Sequence, residues 1–328
     1  MNGEKKLRWG FLSTARINDA LIDPLRVSVR NELAAVASRD QQKAGDYAKE
    51  KHIPQSFGSY EALLADPDVD VIYNPLPNHM HTEWTVKAAH AGKHVLCEKP
   101  VALAAADVDA MIEAAVSTGV TITEAFMYRH HSQTLKVKEL VDQGAIGDLQ
   151  FIRGSFSFYL DREWDIRLDP EMGGGSIWDV GCYPISYARY IAGEEPGEVF
   201  GWQVSSKRGV DLIFTGQMRF PGGVLAQFDS SFRTPYRTHI EITGSEGSLS
   251  IPRPFNPGKN EFITLKRGED AETIHIPGEM LYLGEVEDIT DAVLHGKSPL
   301  ISLQHSRANV MTILALLQSA KEGRPVVL

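Results

Sequence analysis

The fold is decided by a short stretch near the start of the chain. It reads Leu7-Arg8-Trp9-Gly10-Phe11-Leu12, followed by Ser13-Thr14-Ala15-Arg16-Ile17-Asn18. The apolar run predicts a buried strand, and the small and polar residues after it predict a turn into a helix. In open α/β sheets such a turn places a helix N-terminus against a pyrophosphate, with the pattern G-x-G-x-x-G/A. None of the three glycines is present here, so an ordinary strand-to-helix turn is the alternative interpretation.

The alternation that begins there continues to about residue 125. Further strands are predicted at 32–38, 69–74, 94–98 and 120–125, and helices at 41–51, 59–65, 82–91 and 103–117. Ser59 is a candidate N-cap, and Gly92 and Gly119 stand where helices are expected to stop. Strands that alternate with helices indicate βαβ units and a parallel, doubly wound sheet.

The pattern changes after a predicted helix at 133–143. Strand-like segments then follow closely at 149–158, 198–205, 211–220, 224–232, 237–243 and 262–266, with turn signals such as Pro221-Gly222-Gly223. Two helices are predicted at 281–294 and 303–322. The sequence therefore predicts an α/β protein of two domains, 1–127 and 128–328, the second being an α+β domain with a large, mostly antiparallel sheet.

Composition limits the classes of partner. The 328 residues carry 33 basic and 43 acidic side chains, a net charge of −10, which argues against general binding to nucleic acid or to an anionic membrane. No apolar stretch approaches the roughly 20 residues that a membrane helix needs. Cys97 and Cys182 form no C-x-x-C motif and the start of the chain has no apolar signal segment, so a reducing cytoplasm is expected.

The end of the second predicted strand bears on nucleotide choice. An NAD site places a ribose-binding acid there, about 20 residues beyond the glycines, but this chain has Ser38-Arg39-Asp40. Ser38 and Arg39 can hydrogen-bond and neutralise a 2′-phosphate, which favours NADP. NAD remains an alternative, because Asp40 is close by and an exposed arginine after a strand is common.

Lys99 stands in Cys97-Glu98-Lys99-Pro100, directly after a predicted buried strand. The carboxyl ends of strands line the ligand crevice of an open α/β sheet, and a partly desolvated ammonium there can take part in proton chemistry. Pro100 restricts Lys99 to extended backbone, which fixes the direction of its side chain. A surface lysine in a strand-to-loop turn is the alternative.

Several motifs together resemble one family, the glucose-fructose oxidoreductase, inositol dehydrogenase and rhizopine-catabolism (Gfo/Idh/MocA) oxidoreductases. They are Trp9-Gly10-Phe11-Leu12, Asn74-Pro75, Pro77-Asn78-His79-Met80-His81, Glu98-Lys99-Pro100, Glu124-Ala125-Phe126-Met127-Tyr128-Arg129, Gly144-Ala145-Ile146-Gly147 and Gly173-Gly174-Gly175-Ser176-Ile177-Trp178-Asp179-Val180-Gly181-Cys182-Tyr183. The resemblance covers nearly the whole chain. It is greatest to the branch with NADP-dependent D-xylose dehydrogenases and dimeric dihydrodiol dehydrogenases. Tyr183 stands where inositol dehydrogenases have a histidine.

The resemblance implies a Rossmann domain that binds NADP, with nicotinamide in the cleft between the domains, and a second domain whose open sheet packs against another subunit in a homodimer or homotetramer. The cofactor-binding candidates are Ser13, Thr14, Ala15, Arg16, Ile17, Ser38, Arg39, Asn74, Pro75, Leu76, Asn78, His81, Glu98 and Lys99. The substrate-binding candidates are Tyr128, Arg129, Trp164, Arg167, Asp179 and Tyr183. The substrate-binding candidates are each open to a purely structural role.

Tyr183 is the candidate acid/base for hydride transfer at a carbinol carbon, which requires a group that moves the hydroxyl proton. A tyrosine has an ordinary pKa of about 10, and a nearby Lys99 ammonium favours its phenolate. Asp179 lies four residues earlier, on the same face of a helix, and is a candidate catalytic residue that orients either a sugar hydroxyl or Lys99. Pro184 disfavours a regular helix at Tyr183, so the helix is expected to be kinked or to begin late.

These residues lead to one expected function and two alternatives. We expect an NADP(H)-dependent oxidoreductase acting on a sugar or related polyol, either as an aldose 1-dehydrogenase or as a keto-sugar reductase. No metal is expected, because His79 and His81 have no acidic or cysteine cluster at ligand spacing. A trans-dihydrodiol or dicarbonyl oxidoreductase is one alternative. A non-catalytic protein that senses NADP is the other.

Overall fold

A computed structural model of the protein describes residues 6–162 and 164–328, which form two compact units. The first unit combines the chain up to Met127 with Tyr282–Arg307. Its strands are β1 (Leu7–Leu12), β2 (Asn31–Ala37), β3 (Gln55–Phe57), β4 (Val71–Asn74), β5 (His94–Glu98) and β6 (Ile122–Ala125). Its helices are α1 (Asn18–Val27), α2 (Gln41–Glu50), α3 (Tyr60–Leu64), α4 (His81–His90), α5 (Ala105–Thr118) and, later in the chain, α8 (Leu283–His295).

The six strands form one parallel sheet in the order β3-β2-β1-β4-β5-β6. The order reverses between β1 and β4, and ligands bind outside the carboxyl ends of the strands at such a switch point. Phe11, Tyr73 and Leu96 are side by side in register on β1, β4 and β5. The residues that follow these strands therefore emerge at one edge. The predicted doubly wound sheet is confirmed.

Helix α8 packs into the core of the first unit, although the sequence placed it in the segment 128–328. Val286 and Ile289 join a cluster that includes Trp9, Tyr73 and Leu96. The Thr290 hydroxyl donates to Asn31 Oδ1 at 3.0 Å, and Arg30 forms ion pairs with Glu287 and Asp291. An amphipathic helix does not show from its own sequence which distant sheet it covers, so the division into two contiguous segments did not anticipate this contact.

The second unit comprises Tyr128–Leu281 and Ala308–Leu328. Its strands are β7 (Leu149–Tyr159), β8 (Glu198–Ser205), β9 (Asp211–Arg219), β10 (Leu225–Ser231), β11 (Arg233–Gly244), β12 (Ser248–Ile251), β13 (Asn260–Arg267), β14 (Asp270–Pro277) and β15 (Val326–Val327). Its helices are α6 (Ser132–Asp142) and α7 (Cys182–Ala192), and the unit boundary falls within α9 (Leu303–Glu322).

These nine strands form a single sheet in the order β14-β13-β12-β11-β7-β10-β9-β8-β15. The pair β10 and β7 is parallel and the other pairs are antiparallel, which confirms the mostly antiparallel sheet. Strands β12, β14 and β15 lie outside the predicted segments. Side chains alternate between the two faces along β7. Gly154 lets α7 approach one face, because a Cβ at Gly154 would lie 2.7 Å from Pro184 Cβ.

Candidate functional site

The turn after β1 contains no glycine, yet one of its residues adopts a backbone conformation that favours glycine. Ser13 has φ 81°, a left-handed conformation that favours glycine. The Asn18 side-chain amide donates to the Ser13 carbonyl oxygen at 2.9 Å and holds the turn against α1. Ser13 Oγ is buried and has no hydrogen-bond partner among the described residues. A free hydroxyl beside a helix N-terminus, with Arg16 exposed nearby, fits a phosphate.

The two charged residues at the end of β2, Arg39 and Asp40, have different surroundings. The Asp40 carboxylate caps α2 by accepting from the Lys43 backbone N–H at 2.8 Å. Arg39 is exposed and lies beside the Tyr60 hydroxyl, where its charge lowers the pKa of Tyr60 although burial raises it more. Ser38 is buried. Since Asp40 is turned to its helix, Arg39 is the side chain of this strand end that suits a 2′-phosphate.

Two of the candidate cofactor-binding residues, Asn74 and His81, form hydrogen bonds within the protein. The Asn74 amide donates to His81 O at 3.2 Å and to Thr85 Oγ1 at 3.1 Å. The His81 ring nitrogens lie 2.8 Å from Pro100 O and 2.7 Å from Leu76 O. Burial lowers the pKa of His81 to about 4. His81 therefore links the loop after β4 to the loop that carries Lys99.

Lys99 follows β5 directly and is half-buried, at a cis peptide bond to Pro100. The Tyr73 hydroxyl donates to Glu98 Oε1 at 2.6 Å, and the Lys99 backbone N–H donates to Glu98 Oε2 at 3.2 Å. Both oxygens of Glu98 thus hold the strand end from which Lys99 projects. Burial, followed by the negative charge of Glu98, raises the pKa of Tyr73 well above its ordinary value.

Glu285, on α8, was not anticipated from the sequence. Glu285 is buried and interacts electrostatically with Glu98 and Tyr73, and neither of its oxygens has a hydrogen-bond partner in the part of the chain that is described. Burial and the charge of Glu98 raise the pKa of Glu285 well above its ordinary value. Ionisation of Glu285 is therefore disfavoured in the folded protein.

In the second unit, the segment with Asp179 and Tyr183 begins as a π-helical turn, Ile177–Gly181, that continues into α7. Asp211 on β9 fixes its start: Oδ2 accepts from the Ser176 hydroxyl at 2.6 Å and from the Ile177 backbone N–H at 2.9 Å. Burial raises the pKa of Asp211. Because α7 begins only at Cys182, Pro184 falls in its first turn, where proline is tolerated.

Asp179 already has a cationic partner. The Nε of Arg167 donates to Asp179 Oδ2 at 2.8 Å, and Arg167 Nη1 lies 3.2 Å from Asp165 Oδ1. The charge of Asp179 is the largest cause of the raised pKa of Arg167. The structure thus brings two predicted substrate residues, Arg167 and Asp179, into one ion pair.

Tyr183 is 5% exposed and lies in an aromatic enclosure. Its ring centroid is 5.3 Å from that of Phe156, 5.4 Å from Phe255 and 5.7 Å from Tyr128. Phe156 and Phe255 were missed as site residues. The alternation Ser155-Phe156-Ser157-Phe158 shows that Phe156 shares a sheet face with Phe158, but only the packing of α7 identifies that face as the one that carries Tyr183.

The remaining substrate candidates lie in different surroundings. Tyr128 is buried and stacks on Tyr187, with centroids 5.7 Å apart. Arg129 is buried too, with its guanidinium 3.7 Å from the centroid of the Tyr190 ring. Trp164, by contrast, is 87% exposed. Tyr128 therefore packs against Tyr183, whereas Arg129 packs against Tyr190.

The described residues contain no group of three or more His, Cys, Asp or Glu side chains arranged to hold a metal ion. Cys97 and Cys182 are both buried and form no disulfide with each other. No helix in the described ranges is long and apolar enough to cross a bilayer.

Comparison with known proteins assigns the family. Residues 7–126 match the oxidoreductase family with an NAD-binding Rossmann fold, and residues 134–250 match the GFO/IDH/MocA C-terminal domain. The chain belongs to the Gfo/Idh/MocA oxidoreductases. Its first unit is the family's Rossmann domain, and the second contains the family's C-terminal domain.

The matches to known relatives and solved structures cover nearly the entire chain. D-xylose 1-dehydrogenase (NADP(+)) 2 from Haloferax volcanii is 37% identical over 98% of this chain and 100% of its own. Trans-1,2-dihydrobenzene-1,2-diol dehydrogenase from Xenopus laevis is 31% identical over 91% of this chain and 93% of its own. A 3-ketoreductase from Actinomadura kijaniata, crystallised with NADP and TDP-benzene, is 28% identical with a TM-score of 0.91, covering 96% and 98% of the two chains.

Proposed function

We propose that this Gfo/Idh/MocA oxidoreductase transfers hydride between NADP and a carbinol or carbonyl carbon of a sugar or related polyol. The observation that carries the proposal is Lys99, a cation fixed at the carboxyl end of β5 beside the switch point of a Rossmann sheet. That edge is where a dinucleotide and its substrate meet. The Haloferax relative named as a D-xylose dehydrogenase of NADP(+) supports both the cofactor and the substrate class.

The first unit offers groups for each charged part of the cofactor. The positive-φ turn at Ser13 and the N-terminus of α1 suit the pyrophosphate, while Ser38 and Arg39 suit the 2′-phosphate. The bound nicotinamide supplies the hydride acceptor or donor. NAD is the weaker alternative, because no carboxylate stands at position 38 or 39 to bind a free 2′-hydroxyl.

Proton transfer is the task proposed for Lys99 and Tyr183. As a phenolate, Tyr183 takes the proton of the carbinol during oxidation, and as a phenol it returns that proton during reduction. The Lys99 ammonium favours the phenolate of Tyr183 and donates to the reacting oxygen. The Actinomadura ketoreductase has also been crystallised as variants changed at one tyrosine and at one lysine, which singles out the same two residue types.

The Arg167–Asp179 pair is proposed to orient the substrate. A carboxylate held at 2.8 Å by a guanidinium has a fixed orientation, as hydrogen-bond recognition of a ligand requires. Sugar hydroxyls donate well to such an acceptor. The pair thus suits a polyhydroxylated ligand more than an apolar one.

One alternative substrate class has an observation in its favour. The aromatic enclosure of Phe156, Phe255 and Tyr128 around Tyr183 also suits a trans-dihydrodiol or a dicarbonyl, and the Xenopus relative is named for the former. We favour the sugar because of the charged Arg167–Asp179 pair.

Assembly through the open face of the nine-stranded sheet is part of the proposal. That face has exposed apolar side chains, including Trp202, Val204 and Leu225. A shallow cavity of about 500 Å³ lies there, lined by Phe151, Trp202, Met218 and Leu225 among others. Apolar surface of this kind marks an interaction site. A homodimer, or a tetramer built from two, would cover it.

The test is a screen of the purified protein with NADP(+) and NAD(+) against aldoses, polyols, trans-dihydrodiols and, in the reverse direction with NADPH and NADH, keto-sugars and dicarbonyls. We expect NADPH absorbance to rise with one or more aldoses and to respond weakly to NAD(+). Turnover confined to dihydrodiols and dicarbonyls would select the alternative class. Tight NADP binding without turnover of any compound would identify a cofactor sensor.

A further inference from the structure

Strand β11 carries a bulge close to the enclosure of Tyr183. Arg233 is opposite Tyr159 on β7, while Arg237 is opposite Ser157. Four residue steps on β11 therefore face two steps on β7, so that two extra residues are accommodated within Thr234-Pro235-Tyr236. Bulges are over-represented next to active sites, where they change the direction of a side chain.

The bulge is held at both ends. The Ser157 hydroxyl donates to Pro235 O at 3.0 Å, and Arg237 forms an ion pair with Asp229 on β10. The Arg233 backbone N–H donates to Ser231 Oγ at 2.9 Å. These contacts define the backbone on either side of Tyr236, so its direction is set by the fold.

Tyr236 points to the face of the sheet that carries α7. Its ring lies edge-to-face on Phe156, with centroids 6.2 Å apart, and Phe156 in turn is 5.3 Å from Tyr183. Unlike the other rings of this group, Tyr236 is 60% exposed. The rings of Phe156, Tyr183 and Phe255 are covered by one another, whereas most of the Tyr236 ring is open to a ligand.

Packing in the core does not explain why a large aromatic ring stands at position 236, because most of that ring is exposed. Truncating a mostly exposed side chain leaves no core cavity, so Tyr236 contributes little to stability. A rigid ring with a polar hydroxyl suits recognition, because it offers contact area at low entropy cost and one hydrogen bond. The C–H face of a pyranose is the apolar part of a sugar, and it packs on aromatic rings of this kind.

We propose that Tyr236 is a substrate-binding, specificity-determining residue, which packs on the C–H face of a pyranose whose reacting carbon lies near Tyr183. This inference rests on the proposed function. Because an open-chain polyol presents no continuous C–H face, Tyr236 on the bulge of β11 would select ring-shaped polyols over open-chain ones.

The test compares Tyr236→Ala and Tyr236→Phe with the control Val116→Ala. Val116 is 80% exposed on α5 in the first unit, outside both the aromatic enclosure and the open face of the nine-stranded sheet. For the best pyranose found in the screen, Tyr236→Ala should raise KM about tenfold, leave kcat within about twofold, and leave NADP affinity unchanged. Tyr236→Phe should retain most of the affinity, and Val116→Ala should match the wild type.

The outcomes separate this inference from the proposed function. An unchanged KM in Tyr236→Ala, or an equal increase in Val116→Ala, would overturn the role of Tyr236 while the wild-type sugar activity stands. A wild-type enzyme active only on open-chain dicarbonyls would overturn the proposed substrate and, with it, pyranose recognition. Equal thermal midpoints of the three variants, measured by circular dichroism, confirm that they fold.

Discussion

Arg167 Nε donates to Asp179 Oδ2 at 2.8 Å, so a carboxylate on the π-helical turn beside Tyr183 is balanced by a guanidinium from the preceding loop. The two residues therefore act as one unit. Arg167 also contacts Asp165, which places a second carboxylate on the same guanidinium.

The Arg167–Asp179 pair predicts strongly non-additive variants. Arg167→Met and Asp179→Asn should each lower kcat/KM for the sugar, and the double variant should lose little more than the worse single one. Since Arg167 is partly exposed, the coupling in a double-mutant cycle should be roughly 1 kcal/mol. Steady-state kinetics on the four proteins measures it. Fully additive losses would show that the two side chains act separately.

Arg39 should decide between the two nucleotides. Arg39→Ala should weaken NADP binding by about tenfold to a hundredfold, the effect of removing a charge-assisted contact to phosphate, and leave NAD binding nearly unchanged. Calorimetric titration with each nucleotide measures this. Lys43→Ala, which removes a cation at the start of α2, is the control. Equal losses for NADP and NAD in Arg39→Ala would remove the assignment.

Glu285 should make stability depend on pH. Its pKa in the folded protein lies well above the unfolded value of about 4.3, so its stabilising contribution is full below that value and is lost as pH rises toward the folded pKa. Glu98 and Asp288 are the charges that oppose its ionisation. Glu285→Gln stays neutral, so its thermal midpoint relative to the wild type should increase between pH 4 and pH 8. Parallel curves for the two proteins would contradict a buried neutral acid.

The open sheet face should mediate assembly. Trp202→Glu places a charge in the exposed apolar surface of β8, where desolvation on association is costly. Light scattering should show a dimer or tetramer for the wild type and a smaller species for the variant, with unchanged far-ultraviolet circular dichroism. Val116→Glu is the control, since Val116 is 80% exposed on α5 in the first unit. Identical masses for wild type and Trp202→Glu would exclude this face.

Local patterns were sufficient for much of the fold. The run His94 to Glu98 predicts β5 with its observed ends, and Ser59 caps α3 as predicted by accepting from the Ala62 backbone N–H. Gly119 adopts the left-handed conformation expected at the end of α5. Each of these features depends on neighbours in the chain, which the sequence shows directly.

Features that depend on distant contacts were not predictable. The sequence shows no reason for α8 to pack beside Trp9, nor for Asp211 to cap a π-helical turn more than thirty residues earlier. The Arg167–Asp179 pair was represented as two separate substrate residues, because an ion pair across a loop has no spacing rule. The left-handed backbone after β1 was not predictable from the sequence either, because no glycine marks it. Ser13 adopts this conformation, and the Asn18 side chain donates a hydrogen bond to its carbonyl oxygen.

The central claim is that Lys99 and Tyr183 move the proton that accompanies hydride transfer. Its most direct test is kcat with saturating NADP(+) and the best sugar for Lys99→Met and Tyr183→Phe, alongside NADP affinity by calorimetry. We predict that each variant loses about a hundredfold or more in kcat and binds NADP nearly as the wild type does. Wild-type turnover in both variants would contradict the account.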